Sequence, residues 1–229
     1  MGRGRFDAVL IDFYGTLSAG DGDAVDATCR RLTATLPLSI TPRELAVSWG
    51  ERFFDIIGRS NRRSFKTLFE CELLSLERTL ASLGINGASC ASFISDLENY
   101  WRDPPLHPDA LKFLRAIDLP LCCVSNADTA ALMSAIERNN LPLRDVTTSE
   151  AARCYKPAPA IFLRALETVG VQPHRAVHIG DSLHSDISGA ARLGIATVWI
   201  RREGRIHDIG TCRPDHTVSS LTEVLPLLT

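Results

Sequence analysis

A chain of 229 residues, 45% hydrophobic and 23% charged, has the composition of an ordinary globular protein and room for one domain with a large insertion or for two small domains. A formal net charge of -2 gives no electrostatic case for binding nucleic acid or an anionic membrane, and the basic pairs Arg62-Arg63 and Arg201-Arg202 read as solvated surface. The seven cysteines lack CxxC spacing, no signal peptide is expected before Phe6, and no apolar run is long enough to span a bilayer. The opening Met1-Gly2-Arg3-Gly4-Arg5-Phe6 lacks the Ser/Thr of a myristoylation signal. These features imply a reduced, cytoplasmic protein whose Cys122-Cys123 pair serves as small core residues.

The first element is the apolar run Ala8-Val9-Leu10-Ile11, which reads as a buried strand delivering Asp12 to its C-terminal end. A Gly15-Thr16 turn follows. A carboxylate placed there can attack an electrophile and form a covalent aspartyl intermediate. Between Leu17 and Pro104 no strand is expected. Thr41-Pro42-Arg43-Glu44 is a capping box with proline at the first helical position. It opens a helix with Leu45, Trp49, Phe53 and Ile56 on one face, where Trp49 and Phe53 read as helical core. Ser64 to Leu83 reads as a second helix ended by Gly84, and Cys90 to Trp101 as a third, before Pro104-Pro105 closes the segment.

Strand signals then resume at Leu119–Val124, Ala176–Ile179 and Ala196–Ile200, with weaker ones at Val146–Thr148 and His216–Val218. Helical patterns at His107–Ile117, Thr129–Asn139, Ala158–Val169 and Ser185–Leu193 separate them. Strands alternating with helices at this spacing imply an α/β fold, a doubly wound parallel sheet with right-handed crossovers. Sites in such sheets lie beyond the C-terminal ends of the strands. Three further motifs fall at such ends. Ser125-Asn126 closes the second strand, and a hydroxyl with a free N–H there can hold an anionic oxygen. Lys156 stands in Tyr155-Lys156-Pro157-Ala158-Pro159-Ala160-Ile161-Phe162, whose prolines set the backbone at a helix start. His178-Ile179-Gly180-Asp181-Ser182-Leu183-His184-Ser185-Asp186 brings two more carboxylates toward Asp12, an oxygen-rich set suited to Mg²⁺; Asp186 could instead simply cap the helix that follows.

Together these motifs, Ile11-Asp12-Phe13-Tyr14-Gly15-Thr16-Leu17 foremost, resemble the haloacid dehalogenase-like (HAD) hydrolases. The resemblance implies a Rossmann-like core of residues 1–17 and 104–229, with residues 18–103 inserted as a small all-helical cap that closes over the site. It implies Asp12, Thr16, Ser125 and Lys156 as the catalytic set, with Ser125, Asn126 and Lys156 holding phosphate. It also implies Mg²⁺ on Asp12, Asp181, Asp186 and the Tyr14 carbonyl, and a small-molecule substrate. Nothing in the sequence sets an oligomeric state.

Two departures pull the reading in opposite directions. Phosphatases of this kind carry a second Asp, the general acid and base, where Tyr14 stands, and Asp-x-Tyr-Gly-Thr resembles the 2-haloacid dehalogenases instead. Those dehalogenases typically show Ser-Ser-Asn-x-x-Asp where this chain has Gly-Asp-Ser-x-x-x-Asp from Gly180 to Asp186, so Asp181 departs from their pattern, and they place an Arg after a cap Trp, where Gly50 follows Trp49. Arg52, two residues on, points off by about 200° and is no simple substitute. The favoured expectation is a metal-dependent phosphatase. The alternatives are a 2-haloacid dehalogenase-type hydrolase and a weakly active regulatory or binding homologue. A phosphatase needs a stand-in for the missing proton donor. His184 is nearest in sequence, as against a plain surface histidine, and Glu51, Arg52, Tyr100 and Trp101 are cap candidates.

Overall fold

The computed structural model describes residues 5–202 and 212–228; the start at residues 1–4, read above for lipidation, lies outside them. The order is β1 (Ala8–Ile11), then four helices, α1 (Asp21–Thr35), α2 (Pro42–Arg59), α3 (Leu68–Ser82) and α4 (Ala91–Arg102). Alternation follows: α5 (Ala110–Ala116), β2 (Leu121–Ser125), α6 (Thr129–Arg138), β3 (Asp145–Thr148), α7 (Ser149–Ala152), α8 (Pro159–Val169), β4 (Ala176–Gly180), α9 (Ser188–Ala191), β5 (Ala196–Ile200) and β6 (His216–Val218).

The six strands form one parallel sheet in the order β3-β2-β1-β4-β5-β6, as the alternation implied. The order reverses between β1 and β4, so the crevice of this doubly wound sheet opens beyond their C-terminal ends. All of β1 is buried because helices cover both faces, which is why it reads as an unbroken apolar run. Val9, Ile11 and Cys123 pack into one core and Leu10, Cys122 and Val124 into the other, so the two adjacent cysteines serve opposite faces. Strand β2 starts two residues later than expected, after Pro120, which lacks an N–H.

Helices α1–α4 share a core of their own, with Leu32, Leu45, Trp49, Leu76, Leu80 and Ile94 at its centre. The sequence reading anticipated three helices here; α1 is the fourth. Its N-terminus is Gly20 at φ 85° with no side-chain cap, and Thr28, Cys29 and Leu32 are its only buried residues, so it carries neither a start signal nor a strong apolar stripe. The helix expected from Ser64 begins at Leu68 instead. A 3₁₀ turn occupies Arg62–Ser64, and the capping box Thr67–Glu70 sets the start. The helix expected over Ser185–Leu193 is a π-helical turn, Leu183–Ile187, running into the short α9.

Candidate active site

The loop after β1 folds tightly on one acceptor. The Phe13 carbonyl accepts from the amides of Thr16, Leu17 and Ser18 at 3.3, 2.8 and 3.0 Å, and Gly15 takes φ 88° to allow the turn. The turn leaves Asp12 buried at the strand end with Thr16 beneath it. The Thr16 hydroxyl lies 3.2 Å from Asp12 Oδ2 and 3.1 Å from Asp181 Oδ1, and its single proton serves one of them at a time. Arg202 holds this loop from behind. Its Nη2 donates to the Thr16 carbonyl at 2.7 Å, and its guanidinium pairs with Asp109 at 2.8 and 3.0 Å. Arg202, only 8% exposed, is therefore not the solvated surface the sequence suggested; Arg201, Arg62 and Arg63 are exposed. Asp109, although burial works against it, is held down to about 2 by Arg202, the Ser220 hydroxyl and the Leu221 amide.

Lys156 reaches the nucleophile from the loop before α8. Its Nζ donates to Asp12 Oδ1 at 2.5 Å, Asp186 Oδ1 at 2.7 Å and the Val124 carbonyl at 2.9 Å, which uses all three ammonium protons. Burial favours the neutral amine, but the two carboxylates outweigh it and keep Lys156 charged. Burial pushes Asp12 up, with Lys156 opposing and Asp186 adding to the rise. Asp186 is pulled the other way: despite its burial, Lys156 and His178 hold its carboxyl well below the usual range.

Asp186 is turned inward and does not cap a helix. Its Oδ2 accepts from the Ser182 amide at 3.1 Å, and the Ser182 hydroxyl takes the cap role by accepting from Ser185 N at 2.8 Å. The carboxyl lies so close over Gly180 that any Cβ there would collide with it. His178 was not anticipated. It is fully buried in β4, and its Nε2 lies 2.9 Å from Asp186 Oδ1. A lone histidine inside an apolar strand was the available signal. Asp12, Asp181 and Asp186 all place a carboxylate oxygen within 4.8 Å of one another, and all three are buried. The Lys156 ammonium bonds Asp12 and Asp186 but not Asp181 among these three carboxylates. This donor set fits a small, hard divalent cation such as Mg²⁺.

A cavity of about 800 Å³ opens above these groups. Ser125 lines it, and its buried hydroxyl has no hydrogen-bond partner among the described residues, as suits an oxygen awaiting an anion. Asn126 is committed otherwise: its amide accepts from Lys156 N at 2.7 Å and donates to the Lys156 carbonyl at 3.3 Å. Tyr14 lines the cavity, but its hydroxyl donates to the Trp101 carbonyl at 2.7 Å, and burial pushes the phenol far above its ordinary value. His184 is exposed and lines the cavity.

The other four cap candidates do not line it. Arg52 bonds Ser48 and Ser82, the Tyr100 hydroxyl donates to the Ala19 carbonyl at 2.9 Å, Trp101 is buried and Glu51 is exposed. Instead the helical wall is Phe53, Phe54, Ile57, Gly58, Asn61 and Leu68. Phe53, expected only as core, is partly buried against the helical core and also faces the cavity, whereas Trp49 is core, donating to Ser75 Oγ at 2.8 Å. The wall is tied to the sheet side. Asp128, at the start of α6, accepts from Leu68 N and Phe69 N at 2.6 and 3.0 Å, capping α3 across the interface. The Tyr155 hydroxyl donates to the Lys66 carbonyl at 2.8 Å.

A family model for haloacid dehalogenase-like hydrolases matches residues 6–194. Among curated proteins, N-acylneuraminate-9-phosphatase from Mus musculus is 43% identical over 74 residues, 32% of this chain and 30% of that enzyme. Glyceraldehyde 3-phosphate phosphatase from Methanopyrus kandleri is 46% identical over 65 residues, 28% of each chain. (S)-2-haloacid dehalogenase 4A from Burkholderia cepacia is 28% identical over 137 residues, 58% of this chain and 59% of that one. The chain thus spans less than a third of the length of the phosphatases it matches. Among solved structures, the L-2-haloacid dehalogenase from Xanthobacter autotrophicus with chloropropionic acid covalently bound superposes with TM-score 0.78 at 20% identity, covering 97% and 98% of the two chains. A Bacillus subtilis hydrolase of this kind, bound to magnesium, also reaches 0.78 at 19% identity over 98% and 99%. These structural likenesses are of fold. With the family model matching most of its length, the chain belongs to the haloacid dehalogenase-like hydrolases.

Proposed function

We infer that the protein is a Mg²⁺-dependent phosphatase of small phosphorylated metabolites, with Asp12 as the nucleophile. The observation that carries this is Asp181, set among buried carboxylates within reach of Asp12 and Asp186. Halide displacement by Asp12 has no use for that third carboxylate. In this reading residues 18–103 act as the cap and residues 1–17 with 104–229 as the catalytic core. Six buried, unpaired cysteines support a cytoplasmic setting. No helix among the described residues is long and apolar enough to cross a membrane.

An Asp12 oxygen attacks phosphorus, and the leaving oxygen departs with the bonding pair. Water then hydrolyses the aspartyl phosphate and restores Asp12. Lys156 offsets charge on the nucleophile and on the transferring group, and the Ser125 hydroxyl is placed to donate to a phosphoryl oxygen. Thr16 orients the carboxylates of Asp12 and Asp181, and Asn126 fixes the backbone that carries Lys156. Mg²⁺, held by Asp12, Asp181, Asp186 and the Tyr14 carbonyl, would supply the positive charge that lets an anionic nucleophile approach an anionic phosphate.

Tyr14 favours a second reading, a 2-haloacid dehalogenase, since halide leaves without a proton and a phenol locked on Trp101 costs that chemistry nothing. Phosphate-ester and haloacid panels, each with Mg²⁺ and with EDTA, separate the two. Phosphate release abolished by EDTA is expected. Halide release from 2-chloropropionate undiminished in EDTA would establish the second reading. Asp12→Asn should retain less than about a thousandth of the rate while keeping the fold, and retention above that would remove covalent catalysis by Asp12.

A further inference from the structure

Resting on the phosphatase reading, we propose that the substrate is an aryl phosphate: a phosphate monoester of a flat, uncharged phenol whose ring seats against Phe53, Phe54, Ile57 and Leu68. Two independent observations converge on this class. The first is the wall. Among the described residues, every charged residue lining the cavity comes from the sheet side, and the helical side offers only aromatic, aliphatic and small groups with the amide of Asn61. Phe53 and Phe54 stand edge to face at 5.5 Å, and Phe54 is 70% exposed although it lines the cavity. An exposed aromatic ring at the rim of a cavity of this size is a surface that an apolar ligand would cover.

The second is the proton. The residue standing where related phosphatases have a second Asp is Tyr14, and its hydroxyl donates to the Trp101 carbonyl. The helical wall over the leaving group carries no acid. A simple alcohol would have to leave as an alkoxide, the anion of a group about as weakly acidic as water at pKa ~15.7. A phenol leaves as phenolate, the anion of an acid near pKa ~10, and needs no donor. In the step itself the Asp12 oxygen–phosphorus bond forms as the phosphorus–aryl oxygen bond breaks. The bonding pair leaves on the phenolate, which takes its proton from bulk water. Hydrolysis of the aspartyl phosphate consumes one water and returns Asp12 and inorganic phosphate.

The test compares kcat/KM for 2-naphthyl, phenyl, ethyl and acetyl phosphate with Mg²⁺ present. Aryl esters should exceed ethyl phosphate by at least about a hundredfold, the lower end of what positioned acid catalysis supplies elsewhere. Acetyl phosphate has an acidic leaving group but no ring, so it separates acidity from seating. Phe54→Ala, at an exposed position where folding is not at stake, should lower kcat/KM for 2-naphthyl phosphate about tenfold more than for acetyl phosphate. Ethyl phosphate turned over as fast as the aryl esters would overturn the proposal while leaving the phosphatase reading in place; so would ethyl phosphate turnover that His184→Gln abolishes. An equal effect of Phe54→Ala on both substrates would remove the ring seat. No phosphate release from any ester overturns both readings together.

Discussion

The loop after β1 and the loop after β4 lie side by side at the ends of paired strands, yet they are held by different means. The β4 loop is tied to its own strand and to sheet-side neighbours, with Lys156 on Asp186 and Trp199 Nε1 donating to the Asp181 carbonyl. Asp186 folds back over Gly180, bonds His178 of its own strand and the amide of Ser182, and Ser182 caps the turn. The β1 loop, folded on its own Phe13 carbonyl, is also braced from outside and tied to the helical layer. Arg202 and Asp109 brace its Thr16 carbonyl, and the Tyr14 hydroxyl reaches α4 to donate to Trp101. Asp186 should therefore keep its place whatever the helical layer does, whereas Tyr14, two residues after the nucleophile, is coupled to that layer. A tyrosine at position 14 replaces a proton donor with a tether.

The largest effect that separates the two loops is expected at Asp181. Asp181→Ala removes one of three carboxylates and leaves the Lys156 contacts with Asp12 and Asp186 untouched. Metal-assisted charge neutralisation is worth several kcal/mol, so phosphate release should fall on the order of a thousandfold, and Mg²⁺ binding followed by calorimetry should weaken with it. A variant with wild-type phosphatase activity would show that the β4 loop holds no catalytic metal. Unchanged halide release from the same variant would move the chemistry to the dehalogenase side.

Next in size is Tyr14. Tyr14→Asp places a carboxylate near the leaving oxygen and the attacking water, and should raise alkyl phosphate turnover by about ten- to a hundredfold. In a dehalogenase the second anion beside Asp12 would repel a carboxylate substrate and lower the rate. Tyr14→Phe keeps the ring against Phe13 and removes only the bond to Trp101, at about 1 kcal/mol of stability. If Tyr14→Asp slows every phosphate ester while Tyr14→Phe does not, the phenyl ring itself does something in catalysis that the tether does not explain.

The two loops were also unequally legible in sequence. Strand ends could be read because a parallel sheet buried on both faces writes its strands as apolar runs, and three of the four motifs fell at the ends of such runs; Lys156 instead lies past β3 and α7, in the loop before α8. What sequence could not supply was the partner of each polar side chain. Nothing local distinguishes Arg201, which is exposed, from Arg202, which is buried on Asp109, 93 residues away. Arg52 was weighed as a substrate group because of its place near Trp49; it bonds Ser48 one turn back on its own helix, and tertiary packing adds Ser82. The wall went unread for a similar reason. Phe53, Phe54 and Ile57 follow helical spacing, and periodicity identifies an apolar face without saying whether it meets another helix or a cavity. Helix α1 escaped because it buries little and lacks a capping side chain.

The smallest effect on rate, and a clear one on stability, is expected behind the β1 loop. Asp109→Asn leaves the Arg202 guanidinium largely buried without its counter-charge; breaking a buried pair in this way costs about 3–5 kcal/mol. Arg202 keeps its bond to the Thr16 carbonyl, so kcat at 25 °C should change less than tenfold. The stability loss should depend on pH with a definite sign. Asp109 titrates near 2 in the folded protein and at about 3.9 when unfolded, so its contribution is complete above about pH 4 and is lost as pH falls toward 2. Urea unfolding of wild type and Asp109→Asn should therefore show a wide gap at pH 6 that narrows at pH 3. A gap of equal size at both would mean that the carboxylate charge is not what holds Arg202, and that the brace on the nucleophile loop works through the shape of its hydrogen bonds alone.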